Sequence, residues 1–253
     1  MDLLETRNHA RRHPWELSRA HAIEKVARRH SPFAVRSVLD WGCGDAFTGR
    51  FLLDALGASE LVGVDPHLSE EQRTHFAQGD ARVALYSDER ELRGRRFDVV
   101  LCLDVVEHVP DDAALLELIK RSFLADGGRL IVTVPAFQAL FSTHDVALKH
   151  FRRYSLRQLE NVLRRVDLEI LGSGYLFSSL LPARVLGKLL ERGAPTESSA
   201  ASVGIGSWNG GPLTSRVVET VLSADNALLL SLSTLGVKVP GLSVWAACSS
   251  KSG

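Results

Sequence analysis

The residues of this chain that most clearly point to chemistry are a glycine turn and an acidic residue downstream of it. An apolar run leads into Asp40, Trp41, Gly42, Cys43 and Gly44, and after about one strand and helix a second apolar run ends in Asp65. A glycine turn that opens a helix can hold a polar ligand group, and a carboxylate after the next strand can accept both hydroxyls of a ribose. The pattern predicts a site for a nucleoside-containing cofactor.

The same turn indicates which cofactor to expect. A dinucleotide fingerprint needs a third glycine where the helix begins, and Phe47 stands there. Asp40 would repel a diphosphate but can attract a cation. S-adenosylmethionine, which has an ammonium group, a sulfonium, a ribose diol and no phosphate, fits better than a nicotinamide dinucleotide.

These residues resemble the first motif of the class I S-adenosylmethionine-dependent methyltransferases. The resemblance extends from about Val35 to Tyr175 and includes two further blocks, residues 97–109 and 125–135. One departure is Ala46, where many members have a third glycine. The resemblance implies an α/β fold with a Rossmann-like, seven-stranded, mostly parallel sheet, helices on both faces and an antiparallel last strand. It also implies methyl transfer from S-adenosylmethionine, with S-adenosylhomocysteine as the product.

The resemblance further implies which residues meet the cofactor. Asp40 and the backbone of the glycine turn receive its amino-acid end, Asp65 its ribose and Asp80 its adenine. The full predicted set is Asp40, Trp41, Gly42, Cys43, Gly44, Asp65, Pro66, Asp80, Ala81, Leu103, Asp104 and His108. Alternatives stay open for three of these positions. Asp65 could be a turn residue and Asp80 a helix cap. Glu107 and His108 could form a structural bridge between loops, or His108 could act as a base.

A block after the fifth predicted strand is less generic. His144 and Asp145 precede His150, Arg152, Arg153 and Tyr154, an order that resembles a bacterial small-molecule subgroup of these methyltransferases. Loops after strand ends face the cleft in such sheets, so the last four residues are predicted to bind the acceptor. His144 and Asp145 could orient a general base. Together with His150, the two residues could instead bind a metal ion, or all three could have a purely structural role. We predict His144 and Asp145 as catalytic residues and no metal site.

Charge is concentrated in the same block. Between Lys149 and Arg165 there are six Lys or Arg residues and one acid, Glu160. This predicts a small anionic acceptor held by Arg152 or Arg153 through paired hydrogen bonds. The alternative is that both arginines pair with acids of the domain.

Composition narrows the function classes. Thirty basic and thirty acidic residues cancel, which argues against general nucleic-acid binding. Three widely spaced cysteines form no ligand motif and favour a reducing cytoplasm. No stretch of about twenty apolar residues occurs, so a membrane span is not expected.

Alternating patterns predict the elements that position these residues. A helix over 14–30 covers the cleft, and the core follows as strand 36–40, helix 47–56, strand 60–64, helix 69–73, strand 74–78, helix 81–86, strand 97–103, helix 111–124, strand 128–134, helix 155–165 and strand 167–175. Ser155 and Gln158 have the spacing of a capping box.

The remaining sequence leaves the common core. Residues 176–190 read as a helix with a basic face that packs on the domain, closes over substrate or touches a membrane surface, 193–212 as a mobile loop, and 242–249 as the last strand. We predict one domain of 1–253, with a cap helix in 1–34, a cofactor-binding core in 35–175, an insertion in 176–241 and the last strand with its tail in 242–253.

The function predicted from these observations is methyl transfer to O, N or C of a small, anionic acceptor in bacterial metabolism, either primary or secondary. The alternative is a module that binds S-adenosylmethionine without methyl transfer and acts as a regulatory or assembly partner. The sequence assigns no oligomeric state.

Overall fold

The computed structural model describes residues 12–31, 34–191 and 210–250. Seven strands form one sheet: β1 (Ser37–Trp41), β2 (Glu60–Val64), β3 (Val83–Tyr86), β4 (Phe97–Leu103), β5 (Leu124–Pro135), β6 (Leu168–Leu176) and β7 (Ser243–Ser250). Their order is β3-β2-β1-β4-β5-β7-β6. β7 lies antiparallel between β5 and β6, and the other paired strands are parallel. The predicted fold class is confirmed.

The helices of the described residues are α1 (Pro14–His30), α2 (Phe47–Leu56), α3 (Glu70–Ala77), α4 (Asp112–Ser122), α5 (Thr143–Ala147), α6 (Leu156–Arg165), α7 (Leu181–Glu191) and α8 (Pro212–Thr234). Apolar residues of α1, α2 and α8 pack on one face of the sheet, and those of α4 and α6 on the other. This two-sided burial explains the continuous apolar run 99–103 of the central strand β4.

Several predicted elements are confirmed at their bounds. The helices over 14–30 and 47–56 and the strands over 60–64 and 97–103 match α1, α2, β2 and β4. The capping box of α6 is also present, with the Gln158 N–H donating to Ser155 Oγ at 3.3 Å and the Ser155 N–H donating to Gln158 Oε1 at 2.8 Å.

The predicted strand 74–78 and helix 81–86 are wrong. A capping box between Ser69 and Gln72 starts α3, which continues to Ala77 through the residues predicted as a strand. The next strand is β3, in which Val83 and Leu85 are buried and alternate with less buried neighbours. That alternation is the period of a half-buried strand.

The segment after β6 also differs from prediction. The strand extends to Leu176 instead of 175, and within the predicted helical segment 176–190 α7 begins at Leu181, next to Pro182, a residue favoured in the first turn of a helix. The 23-residue α8, which was not predicted, packs against α1 and β6. Most of the predicted loop 193–212 lies outside the described residues, and the division of the chain at 34, 175 and 241 stays a prediction.

Both α7 and the first half of α8 carry exposed apolar side chains, namely Val185, Leu186, Leu189, Leu213, Val217 and Val221. None of the helices in the described ranges combines the length and hydropathy needed to cross a bilayer. Peripheral membrane contact through 176–190 stays a prediction.

Candidate active site

The glycine turn after β1 folds back onto the end of β2. The Gly42 N–H donates to the Val64 carbonyl at 2.8 Å. Gly42, Gly44 and Ala46 all have positive φ, of 73°, 53° and 60°. Ala46 thus adopts the left-handed backbone that a glycine would adopt without steric cost.

Close packing adds a second reason for glycine at position 42. A Cβ built there would lie 2.4 Å from Val105 Cγ2, closer than real Cβ atoms approach. The turn therefore runs directly beneath the segment that follows β4. Its backbone faces the crevice at the carboxyl ends of the strands, where parallel sheets bind ligands.

Asp65 joins this turn to β2. Its buried carboxylate accepts the Gly44 N–H at 3.1 Å on one oxygen and the His67 N–H at 2.9 Å on the other. A carboxylate has about four acceptor positions, so each oxygen can accept one more hydrogen bond. The geometry fits a diol.

Asp40 is buried at the base of the same turn. Burial raises the pKa of its carboxyl to about 6, against the opposing effects of the Arg19 charge and the Gly49 N–H. A Cβ at Gly49 would lie 2.8 Å from Asp40 Oδ2, so the glycine lets the helix approach the acid. A cation placed here would favour the charged carboxylate.

The structure does not bring Asp80 and Ala81 to this crevice. Both precede β3, and Asp80 pairs with Arg82, which also bonds Asp54 at the end of α2. They therefore lie at the amino-terminal edge of the sheet. The acid that follows the carboxyl end of β3 is Asp88. Pro66, by contrast, directly follows Asp65, and Leu103 ends β4.

Helix α1 supplies a buried arginine to the crevice. Nη2 of Arg19 lies 2.7 Å from Asp104 Oδ2 and donates to Thr133 Oγ1 at 3.1 Å. The guanidinium also lies over the Trp15 ring, 5.2 Å from its centroid. The cap helix is thus fastened to the ends of β4 and β5 by a charged group.

A cavity of about 200 Å³ opens at this place. Its wall is rich in ionisable side chains and consists of Trp15, Arg19, Asp104, Glu107, His108, Pro135, His144, Leu148, His150, Arg153, Arg184, Leu242 and Ser243. Of the predicted residues, Asp104, His108, His144, His150 and Arg153 meet there.

Glu107 is the anomalous group of this wall. Its side chain is fully buried, and neither carboxylate oxygen has a hydrogen-bond partner. Burial, reinforced by the nearby Asp104 carboxylate, raises the pKa of Glu107 well above its usual range. A buried carboxyl group without partners is costly and calls for a functional explanation.

Asp145 organises the opposite wall. Its fully buried carboxylate accepts hydrogen bonds from His150 Nδ1 at 2.9 Å, Arg153 Nε at 2.7 Å, Ser142 N–H at 2.9 Å and Ser142 Oγ at 3.1 Å. Burial alone would raise the pKa of Asp145, but the bonds from His150 and Arg153 outweigh it and hold the pKa well below its usual range. The imidazole fixed by Asp145 is therefore that of His150.

The predicted acceptor residues Arg152 and Tyr154 do not line the cavity. Arg152 donates to Asp112 at 3.2 Å and to the carbonyls of Val109 and Pro110, and the buried Tyr154 hydroxyl donates to Asp112 at 3.0 Å. Together they fasten the loop to the start of α4. The alternative that both arginines pair with acids of the domain holds, since Arg152 pairs with Asp112 and Arg153 with Asp145.

His144 is half-buried on the cavity wall. Burial lowers the pKa of its imidazole. A neutral ring with a lone pair is the form that can accept a proton near neutral pH.

Sequence reasoning missed several residues of the cavity wall, among them Trp15, Arg19, Glu107 as an isolated carboxyl, and Arg184. A signal existed for Arg19, because it lies at helical spacing from Trp15 and Ile23 within the apolar face of α1. A charged residue on such a face usually has a buried partner.

Comparison with known proteins adds independent information. Residues 9–172 match a family model described as a methyltransferase domain. The ubiquinone biosynthesis O-methyltransferase of Xanthomonas axonopodis pv. citri (strain 306) is 29% identical over 136 residues, which cover 52% of this chain and 56% of that protein. The protein of the same name from Neisseria meningitidis serogroup A is 32% identical over 108 residues, covering 39% and 44%. The chain spans about half the length of these curated relatives.

Solved structures show the same fold. The plantazolicin methyltransferase BpumL in complex with monoazolic desmethylPZN analog and S-adenosylhomocysteine aligns with a TM-score of 0.54 at 13% identity, covering 94% of this chain and 85% of that one. Phosphoethanolamine N-methyltransferase 2 of Haemonchus contortus, in complex with S-adenosylmethionine, aligns with a TM-score of 0.53 at 18% identity, covering 94% and 53%. At these identities the likeness concerns the fold alone.

Proposed function

Because this chain belongs to the S-adenosylmethionine-dependent methyltransferase family, we propose that it transfers the methyl group to an oxygen of a small, anionic acceptor bound in the cavity between α1 and the ends of β4 and β5. The observation that carries the proposal is that His144, Arg153 and Arg184 line this cavity together with Asp104, which immediately precedes Val105, the residue against which Gly42 of the glycine turn packs.

The residues around the turn fit the cofactor. We propose that Asp65 accepts the ribose hydroxyls, since both its oxygens retain acceptor capacity beside the Gly44 and His67 N–H bonds. Asp40 would face the ammonium group, and Asp88, rather than Asp80, would meet the adenine because it follows the carboxyl end of β3. Trp41, Cys43, Pro66 and Leu103 would form the surrounding walls.

We propose His144 as the group that takes the proton from the acceptor hydroxyl. Its lowered pKa leaves the imidazole neutral at neutral pH, and it lies on the cavity wall. When bound, S-adenosylmethionine supplies a methyl group whose bond to sulfur breaks, with its electron pair left on sulfur, as the acceptor oxygen forms the new C–O bond. Asp145 acts as a positioning residue because it holds His150, Arg153 and Ser142 in place.

Oxygen as the methylated atom is supported by the names of the curated relatives, which are O-methyltransferases. Anionic character is supported by the guanidinium groups of Arg153 and Arg184 on the cavity wall, where Arg153 also pairs with Asp145 and Arg184 also donates to Ser142 Oγ at 2.7 Å. We also place the reaction in the cytoplasm, because Cys43, Cys102 and Cys248 are all buried free thiols.

The test is release of S-adenosylhomocysteine with a panel of small hydroxylated carboxylic acids and their neutral amides. We expect His144→Gln to lower kcat by about 10²–10⁴-fold, the usual contribution of a general base. The exposed His75→Gln is the matched control and should leave kcat unchanged. Retention of full kcat by His144→Gln would remove His144 as the base.

The charge of the acceptor is tested with the same panel. Arg184→Gln should raise KM for a carboxylate acceptor and leave KM for its amide unchanged. An equal change for both acceptors would contradict an anionic substrate. Binding of S-adenosylhomocysteine without methylation of any member of the panel would contradict the proposed acceptor class.

A further inference from the structure

Three side chains of the cavity wall present ligand atoms to one point. A carboxylate oxygen of Glu107 and ring nitrogens of His108 and His150 all lie within 4.8 Å of one another. The rings of His108 and His150 meet edge to face, with centroids 4.6 Å apart. Two imidazoles and a carboxylate form the ligand set that divalent first-row transition metals favour, with positions left open for another ligand.

We propose that Glu107, His108 and His150 form a binding site for a divalent transition-metal ion within the acceptor cavity. This departs from the sequence, which led us to expect no metal site. Only the catalytic role of the ion rests on the proposed function. The cluster itself is defined by the geometry of the three side chains.

The isolation of Glu107 supports this assignment independently. Both of its oxygens are buried without any hydrogen-bond partner, although buried polar groups in proteins are nearly always satisfied. A carboxylate that completes the coordination of a cation would have the partner that the protein itself does not provide.

His150 is oriented in the manner of a metal ligand. Asp145 binds its Nδ1 at 2.9 Å, which leaves Nε2 as the nitrogen available to the ion. Such carboxylate-histidine pairs orient most metal-ligating histidines and raise their basicity. The backbone adds a further constraint, because the Phe151 N–H donates to the Glu107 carbonyl at 2.8 Å and holds the two ligand segments together.

Distances and charges are compatible with an ion. Two ligand atoms at about 2.1 Å from one metal can lie at most about 4.2 Å apart, so side-chain shifts of less than about 1 Å would close the site. The neighbouring positive charges of Arg19 and Arg153 are paired with Asp104 and Asp145, respectively. The Glu107 carboxylate would supply negative charge to the cation directly.

The chemical consequence would be activation of the acceptor. A divalent ion in this position can coordinate the acceptor hydroxyl oxygen and lower the pKa of its proton. His144, on the same wall, would then take that proton, and the oxygen would attack the methyl group. The ion is neither oxidised nor reduced in this sequence.

The experiment uses Co²⁺ alone as the probe, added to the full chain after treatment with a chelator. Calorimetry and the visible absorption of Co²⁺ report binding without any need for turnover. We expect one Co²⁺ per chain, and at least about tenfold weaker binding in Glu107→Gln and in His150→Gln, because loss of even an outer-shell partner of a ligand costs about 10–100-fold.

Two controls separate this cluster from other histidines. His144→Gln alters the same cavity without removing a proposed ligand, and His75→Gln removes an exposed histidine. Both should bind Co²⁺ with unchanged affinity. Glu107→Gln removes a carboxyl group that has no hydrogen-bond partner, so we expect this variant to fold. Circular dichroism checks its folding, and the test then remains valid even if His150→Gln is destabilised.

Absence of saturable Co²⁺ binding, or wild-type affinity in both ligand variants, would overturn the metal site. Failure of the metal site is distinguishable from failure of the proposed function. Methyl transfer by a wild-type chain that shows no saturable Co²⁺ binding would overturn the metal site alone. Absence of methyl transfer together with Co²⁺ binding lost in both ligand variants would overturn the proposed acceptor class and support the site.

Discussion

The carboxylate of Asp145, with no exposed surface, lies 2.9 Å from Nδ1 of His150. The two residues are only five positions apart, yet the pair fixes the loop between β5 and α6, because Ser142 and Arg153 bind the same carboxylate. The loop thus has an internal acid that binds three of its residues. Its side chains on the cavity wall therefore depend on one buried charge.

Asp145→Asn should lower the free energy of unfolding by about 3–5 kcal/mol at neutral pH, the usual cost of breaking a buried ion pair from one side. The pKa of Asp145 is depressed in the folded chain, so its contribution is present above the pKa of the unfolded chain and is lost as pH falls. The difference between variant and wild type should thus shrink below about pH 4. Urea unfolding at several pH values measures it.

The control for Asp145 is Glu117→Gln, which removes an acid from a surface pair with Lys120 and Arg121. It should cost less than about 1 kcal/mol. An equal loss in the two variants would contradict the role of Asp145 in holding the loop.

The cofactor side of the site followed from sequence more fully than the acceptor side. Asp40, Gly42 and Asp65 lie at the ends of adjacent parallel strands, and strand periodicity with a glycine turn is a local signal. The partner of Asp145 is a tertiary choice within a loop, so residue types alone left His144 and His150 equally available. Arg19 reaches Asp104 across 85 positions of the chain, a contact that no local pattern reports.

The errors around β3 have a local cause. Residues 70–77 lack a strong apolar stripe, and none of them is buried in α3, so their helix is set by the Ser69 capping box rather than by amphipathicity. The four-residue β3 shows only two buried positions, Val83 and Leu85. Because the strand was predicted at 74–78, Asp80 was the acid that followed it, and the contact with adenine was predicted for Asp80. In the structure the acid that follows β3 is Asp88.

Arg19 and Asp104 should be energetically coupled. Arg19→Met leaves Asp104 and Thr133 without their buried donor, and we expect a loss of about 1.5–3 kcal/mol in the free energy of unfolding. In an Asp104→Asn background the same substitution should cost about 1–2 kcal/mol less. Asparagine is the suitable partner change because residue 104 has a φ of 53°, which asparagine tolerates better than alanine.

A double-mutant cycle by chemical unfolding gives this coupling directly. Arg121→Met, which removes an exposed arginine paired with Glu117, is the control and should cost no more than about 1 kcal/mol. Strictly additive losses for Arg19→Met and Asp104→Asn would show that this ion pair does not hold α1 to the sheet.

Asp40 should make the protein less stable as pH rises. Its pKa is raised by burial from 3.8 to about 6, so the folded chain binds a proton that the unfolded chain has released. The stability from this group is complete below the unfolded pKa and is lost as pH rises through about 6. At about 1.4 kcal/mol per unit, the loss amounts to about 3 kcal/mol.

The free energy of unfolding of Asp40→Asn, taken relative to that of the wild type, should therefore increase by about 3 kcal/mol as pH rises from about 4 to about 7. Urea unfolding measures this difference. Affinity for S-adenosylhomocysteine should fall below about pH 6 in the wild type, because the protonated acid no longer attracts the ammonium group, and should vary less in the variant. A stability difference that is constant over this pH range would contradict the burial of a titrating acid at position 40.

Gly42→Ala and Gly57→Ala separate backbone strain from close packing. Both glycines have positive φ, 73° and 66°, so each substitution should cost about 1–2 kcal/mol for the left-handed backbone. A Cβ at Gly57 meets nothing within 4 Å, whereas one at Gly42 would overlap Val105. Gly42→Ala should therefore cost about 1–3 kcal/mol more, as overpacking usually does.

Gly42→Ala should also displace the turn that faces the cofactor. In thermal melts, S-adenosylhomocysteine at about 100 times its dissociation constant should add about 2.7 kcal/mol to Gly57→Ala and to the wild type, and far less to Gly42→Ala. Equal ligand stabilisation in both variants would mean that the turn can move away from Val105 without loss of the cofactor site.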